Sequence, residues 1–192
     1  MAITQPIRDK NLLIKMANYF LDNEQIRNLA IFVINLYTAL RVSDILSLRW
    51  DDVFDFATNK VRISLTTTEK KTGKQKIIAL NADIILVLTL FADESAKQGG
   101  FLFESPRKPG QALCRQQFNR ILAKAAEAVG IEGRVSSHAF RKTFGYFAWK
   151  ANTPQELILD IYNHSSWKVT RRYLGITQDD INAVYLGMEL LA

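Results

Sequence analysis

The apolar residues change their spacing twice along the chain, and this alternation constrains the fold more than any other feature. Leu12, Leu13, Met16, Phe20 and Leu21 recur at helical intervals, and so do Ile26, Leu29, Phe32, Val33 and Leu36 after Asp22-Asn23 interrupts them. Ser43 is placed to cap a short third helix carrying Ile45, Leu46 and Leu48. From Trp50 the interval drops to two. Val61, Ile63 and Leu65 alternate with Lys60, Arg62 and Ser64, the pattern of a half-buried strand. A polar turn from Glu69 to Lys74 then leads into Ile77-Ile78-Ala79-Leu80, which completes a hairpin with a basic tip. Helical spacing returns over residues 83–97, 113–129 and 136–150, with a Pro/Gly loop at 105–110. Thr153-Pro154-Gln155-Glu156 combines a capping box with proline at the first helical position, the start of another helix. The pattern predicts an α+β, mainly α fold: a helical domain with a small antiparallel β-sheet or hairpin inserted after the third helix. No repeat or linker divides it, so residues 1–192 read as a single domain.

With 48% apolar residues in 192, such a chain buries a core without disulfides, and a disordered polycation is excluded. Lys and Arg number 25 against 19 Asp and Glu, so a basic surface remains, and nucleic acid is its commonest large partner. The charge is uneven. Residues 60–76 hold six basic side chains and one acid, and residues 105–155 hold nine basic and two acidic ones. Residues 177–192 carry Asp179, Asp180 and Glu189 and no Lys or Arg. A solvated face explains any one such run. Two cationic segments beside an acidic, apolar tail point instead to a nucleic-acid face with a separate use for the C-terminus. Cys114, the single cysteine, rules out a disulfide framework and falls in an apolar helical pattern, where it reads as a small filler. No apolar signal core follows Met1, and the run 84–88 is far too short to span a bilayer. A cytoplasmic protein with no membrane partner is the expectation.

Taken singly, the residues able to carry chemistry have ordinary explanations. Arg41 reads as a surface arginine, His138 and His164 as half-buried hydrogen-bonders, and Tyr173 as an interfacial aromatic. As a set they say more. His138 and Arg141, spaced i and i+3, leave one helix face together. His164 lies in Tyr162-Asn163-His164-Ser165-Ser166, where one helix ends and the next is capped, and Tyr173 follows the pair Arg171-Arg172. Two distant histidines without an acidic partner serve a metal poorly, and there is no phosphate-cradling glycine loop or nucleophile elbow. Arginines, histidines, a lysine-rich hairpin and a tyrosine suit phosphodiester chemistry without metal or cofactor. The guanidiniums would grip non-bridging oxygens and the phenol would attack phosphorus.

The order and spacing of these residues resemble the catalytic domain of the tyrosine recombinases, the phage-integrase family. The first arginine box is matched by Thr38-Ala39-Leu40-Arg41-Val42-Ser43-Asp44, continuing to Trp50. The lysine box is matched by Lys71-Thr72-Gly73, the next by His138-Ala139-Phe140-Arg141, and the last by His164-Ser165-Ser166 followed by Tyr173. Ala39 and Asn163 stand where glycine is usual, and Asp44 where glutamate is commoner. Asn163 must then adopt whatever backbone that glycine takes. The resemblance implies transesterification through a 3′-phosphotyrosyl link formed by Tyr173. In it Arg41 and Arg141 neutralise the phosphorane, Lys71 protonates the leaving 5′-oxygen, His138 assists proton transfer from the phenol and His164 bonds the phosphate. Lys70 and Lys74 remain alternatives to Lys71, and nearby cations are expected to ease ionisation of Tyr173. Lys70, Lys74, Lys142, Arg171 and Arg172 are the expected contacts to double-stranded DNA. The N-terminal core-binding domain usual in the family is not expected, since only forty residues precede Arg41. Residues 178–191 would form a helix that either docks protomers together or packs on its own domain. A type IB topoisomerase and a catalytically silent DNA-binding regulator of the same fold are the rival readings.

Overall fold

The computed structural model describes residues 4–188. Helices α1 (Lys10–Asp22) and α2 (Ile26–Tyr37) open the chain. Asp9 caps α1 by accepting from the Asn11 N–H, and Asn23 closes it. Every residue of α2 from Leu29 to Leu36 is buried, which marks it as the central helix. It packs against α1, against α5 (Ala82–Ser95) and against α7 (Ser137–Lys150). Phe32 meets Phe20 from α1 and, edge to face at 5.5 Å, Phe140 from α7. Burying side chains of this size contributes roughly 1.5–3 kcal/mol each.

Two single-turn helices, α3 (Val42–Ile45) and α4 (Trp50–Val53), follow α2. Three antiparallel ladders come next in the chain: β1 (Phe54–Asp55) with β2 (Lys60–Val61), β3 (Ser64–Thr68) with β4 (Gln75–Ala79), and, beyond α5, β5 (Glu104–Ser105) with β6 (Lys108–Ala112). The remaining helices are α6 (Arg115–Ala128), then α7, α8 (Gln155–Tyr162), α9 (Trp167–Leu174) and α10 (Gln178–Leu186). This is the mainly helical architecture with small inserted sheets that the spacing predicts, α4 being an additional turn ahead of the strands. No helix among the described residues is long and apolar enough to cross a membrane.

Several local expectations are corrected. Val61, Ile63 and Leu65 do not share one strand face: Ile63 is 82% exposed while Leu65 is fully buried. The strand breaks between them because β2 pairs with β1 and β3 with β4. The Pro/Gly loop at 105–110 is a hairpin, closed by Ser105 opposite Lys108, with Pro109 tolerated in a two-stranded ladder that leaves one edge free. Arg41 rather than Ser43 takes the N-cap position of α3, and Ser43 Oγ donates to Asp44 Oδ1 instead. Pro154 precedes α8 as its N-cap and no capping side chain is engaged there. Cys114 is exposed at the N-cap of α6 and fills nothing.

A second, smaller cluster of Ala39, Ile158, Tyr162 and Leu174 ties α8 and α9 to α7, and Tyr173 packs on its edge. Gly145 makes this approach possible. A Cβ there would lie 2.4 Å from Leu174 Cδ2 and 2.5 Å from the Tyr162 hydroxyl.

Candidate active site

Arg41 leaves the chain just after Ala39, whose φ of 51° is left-handed, so the glycine-like backbone is kept with an alanine in place. The Arg41 carbonyl accepts from the N–H groups of Asp44 and Ile45, which fixes its backbone at the head of α3. Its side chain is 20% exposed, and Nη1 forms an ion pair at 3.1 Å with Oε1 of Glu69, a side chain with no exposure at all. The other Glu69 oxygen accepts from Asn163 Nδ2 at 2.8 Å and from Thr72 Oγ1 at 2.9 Å. Burial alone would push this carboxyl up. Bonds from Asn163 and Thr72 and the Arg41 charge outweigh it and hold Glu69 below the usual carboxylate range.

Arg141 lies on the second turn of α7 and is 3% exposed. Its guanidinium carbon sits 4.6 Å from the centroid of the Tyr162 ring, and Nη2 donates to the Tyr162 carbonyl at 3.4 Å. The Tyr162 hydroxyl donates back to the Arg141 carbonyl. Arg141 Nη1 is buried with no hydrogen-bond partner, and Arg41 Nη1 has the Glu69 ion pair without an aligned hydrogen bond. Unsatisfied buried cationic donors are costly, and phosphate oxygens are the acceptors that suit a pair of them.

Asn163, φ 53° and ψ 46°, ends α8 in the left-handed conformation required at this turn. His164 follows it. Thr170 Oγ1 donates to the Ser166 carbonyl at 3.0 Å, so its oxygen receives the Nδ1–H of His164 at 2.9 Å. The neutral ring therefore carries a bare Nε2. Tyr173 lies edge to face with His164 at 5.5 Å and with Tyr162 at 5.8 Å, on the same chain as the arginines. Burial raises the Tyr173 phenol above its ordinary value, and the charge and hydrogen bonding of Arg141 and the charge of Arg41 offset this only in part. The cations ease ionisation as expected, but desolvation is the larger effect. Tyr162, sealed against α7, and Tyr146, bonded to Asp180, are already engaged, and Tyr185 stands exposed on α10.

The hairpin lysines divide. Lys70 and Lys71 are exposed at the β3–β4 turn, and the backbone N–H of Lys70 is held by Asp44 Oδ1 at 3.0 Å. Lys74 Nζ donates to Asn163 Oδ1 at 3.2 Å. Lys76, which sequence reasoning gave no role, points inward and donates to the Ile161 carbonyl at 2.6 Å. Burial and the Arg141 and Arg41 charges bring its pKa down to about 8. Its signal was its place two residues before Ile78 on the inward face of β4. Glu69 was signalled only as the sole acid among the hairpin's cations. His138 opens α7 exposed and takes part in none of the hydrogen bonds among the described residues. Partial burial and the charges of Arg115, Arg141, Lys142 and Arg41 lower its pKa. Arg171 and Arg172 are exposed on the last turn of α9.

Lys142 does not fit a surface contact. It is 7% exposed, its ammonium donates to the Thr4 carbonyl at 2.7 Å, and it lies 5.2 Å from the Tyr173 ring centroid. Helix α10 is anchored at its start by buried Asp180, which faces Arg8 at 3.4 Å and Lys150 at 3.8 Å, while Val184, Tyr185 and Leu186 stand exposed. Self-packing therefore describes the first turn of the expected 178–191 helix. Residues 189–191 lie outside the described residues. Among the described residues no three His, Cys, Asp or Glu side chains cluster in a way that could hold a metal ion.

Comparison with known proteins places this arrangement. The chain is 36% identical over 187 residues to the probable integrase/recombinase YoeC of Bacillus subtilis (strain 168), covering 96% of this chain and 97% of that one. It is 26% identical over 167 residues to the tyrosine recombinase XerD of Listeria monocytogenes serotype 4b (strain F2365), of which it spans 54%. In fold it is similar to the crystal structure of XerA recombinase, with a TM-score of 0.76 at 19% identity over 95% of this chain and 65% of that one. It is likewise similar to the XerH recombinase bound to a palindromic difH substrate after cleavage, with a TM-score of 0.73 at 16% identity over 96% of this chain and 53% of that one. The phage integrase family model matches residues 8–179, and the chain belongs to that family.

Proposed function

We propose that this protein is a site-specific recombinase that cuts and rejoins double-stranded DNA through a covalent bond to Tyr173, using neither metal nor ATP. The observation that carries the reading is the convergence, within one chain, of the Tyr173 ring with His164 and with buried Arg141, one of whose donors has no partner.

In the proposed step the phenol oxygen bonds to phosphorus, the bond from phosphorus to the 5′-oxygen breaks, and a 3′-phosphotyrosine remains. One ester replaces another, so the link stores what rejoining needs. Arg41 and Arg141 stabilise the charge that builds on the non-bridging oxygens. The phenol proton passes to a neutral imidazole. His164 suits this with its bare Nε2 and, once charged, donates to the phosphate; His138 assists from the head of α7. Lys71, on the exposed hairpin turn, gives its proton to the leaving oxygen. Lys70, Lys74, Arg171 and Arg172 contact the phosphate backbone. Self-association on DNA uses the apolar end of α10, and the protein is DNA-associated in the cytoplasm.

The test is incubation with nicked DNA carrying the native site, which traps a covalent adduct. Wild-type protein is expected to form it. Tyr173→Phe is expected to bind DNA with little change and form none. An adduct that survives this substitution, or cutting that is lost on adding EDTA, would overturn the reading. Replacing Arg141 by Ala is expected to slow adduct formation roughly 100- to 1,000-fold, the scale of a lost transition-state donor.

A further inference from the structure

Glu69 is the one acid in the basic hairpin, has no solvent exposure, and touches three elements of the site at once. One oxygen faces Arg41, and the other is shared by Asn163, the residue before His164, and Thr72, the residue after Lys71. The turn around it is tight. The Gly73 N–H donates to the Glu69 carbonyl at 2.8 Å and the Glu69 N–H to the Lys74 carbonyl at 3.0 Å. Lys74 closes the ring by donating to the far side of the Asn163 amide. Since the amide nitrogen is committed to Glu69 and the amide oxygen to Lys74, Asn163 is oriented from both ends by the hairpin.

A surface salt bridge would not be built this way, because burying a carboxylate is costly unless every lone pair has work to do. Nor is the carboxylate placed to bind DNA, since no part of it reaches solvent and it would repel phosphate. From these contacts we infer that Glu69 is a positioning residue for strand cleavage, setting the Arg41 guanidinium, the loop bearing His164 and the turn bearing Lys71 from a single carboxylate. This rests on the reading of those three residues as phosphate-site groups. Glu69→Gln keeps the shape and can still accept from Asn163, but it removes the charge that holds Arg41. Asn163→Ala cuts the link to the His164 loop from the other end.

The experiment measures single-turnover adduct formation on nicked DNA at saturating DNA, together with DNA affinity and thermal melting, for wild type, each variant and the double variant. Glu69→Gln is expected to melt within a few degrees of wild type and to bind DNA as tightly or more tightly. Its cleavage is expected to slow by about 10- to 100-fold, the range typical of residues that orient catalytic groups. The double variant is expected to be little slower than Glu69→Gln alone, because both changes break one network. Cleavage by a folded Glu69→Gln protein at the wild-type rate would overturn the inference, as would independent, multiplicative losses in the double variant. If wild-type protein itself forms no adduct, the functional reading fails and takes the inference with it.

Discussion

In the proposed step the proton of Tyr173 passes to a histidine, and the surroundings of both histidines lower their pKa. For His164, burial comes first and the charges of Arg141, Arg41 and Lys71 second; for His138 the order is burial, then Arg115, Arg141 and Lys142. Both are lowered from 6.5, so in the free protein both are neutral at pH 7 and able to accept the phenol proton. That capacity is present above the lowered value and is lost as pH falls through it. The second-order rate constant for adduct formation is therefore expected to show an acid limb centred below about 6.5, with no loss on going from pH 6.5 to 7.5. A limb centred at about 7 or higher would contradict the neutral-histidine assignment. At this scale the sequence was informative about residue types. Arg41, Arg141, His164 and Tyr173 stood in recognisable boxes, and all four converge. Glu69, Lys76 and Thr170 did not stand out, because their importance lies in which side chain they meet across long sequence separations. A buried Glu69 paired with Asn163, ninety-four residues away, has no local pattern to betray it.

The contact between α7 and the α8–α9 pair decides where Tyr173 sits. Gly145 is its narrowest point, and Tyr162 and Leu174, both fully buried, fill the space a side chain would need. Alanine at 145 gains roughly 1 kcal/mol of helix propensity but overpacks a closed interface at a cost of about 1–3 kcal/mol. Gly145→Ala is accordingly expected to lower unfolding free energy by up to about 2 kcal/mol and to slow adduct formation more than it weakens DNA binding, because it displaces the helix bearing Tyr173, the proposed nucleophile. Denaturant titration and the trapping assay read the two effects, and an unchanged cleavage rate would show that α9 absorbs the methyl group without moving. The long helices were legible because their apolar stripes are continuous. The ladders were less so: Ile63 has the right spacing and the wrong exposure because the strand changes partner beside it, and residues 105–110 look like a loop because a two-residue turn and Pro109 mask the pairing around them.

Across the whole molecule, an excess of six positive charges matters only where it faces outward. Lys70 is exposed at the hairpin tip, whereas the Lys142 ammonium is spent on the Thr4 carbonyl. Removing Lys70 is expected to reduce the slope of log affinity for DNA against log salt by about 1. Lys142→Ala is expected to leave that slope unchanged, and an equal reduction in both would mean that Lys142 turns outward on DNA. Charge counting along the chain treated these lysines alike, since orientation is a property of the folded helix. At the acidic tail, Asp180 is turned inward and paired with Arg8 and Lys150. Burial would raise that carboxyl, but the Thr177 N–H, Arg8 and Lys150 hold it below the usual range. Everything in the proposed chemistry returns to one bond, between the Tyr173 oxygen and DNA. Trypsin cutting after Arg172 leaves Tyr173 and Tyr185 on one peptide, since no Lys or Arg lies between them. Fragmentation of the trapped adduct by mass spectrometry should place the nucleotide on Tyr173. A nucleotide on Tyr185 in that same peptide, or on Tyr162 or Tyr146 in another, would contradict it.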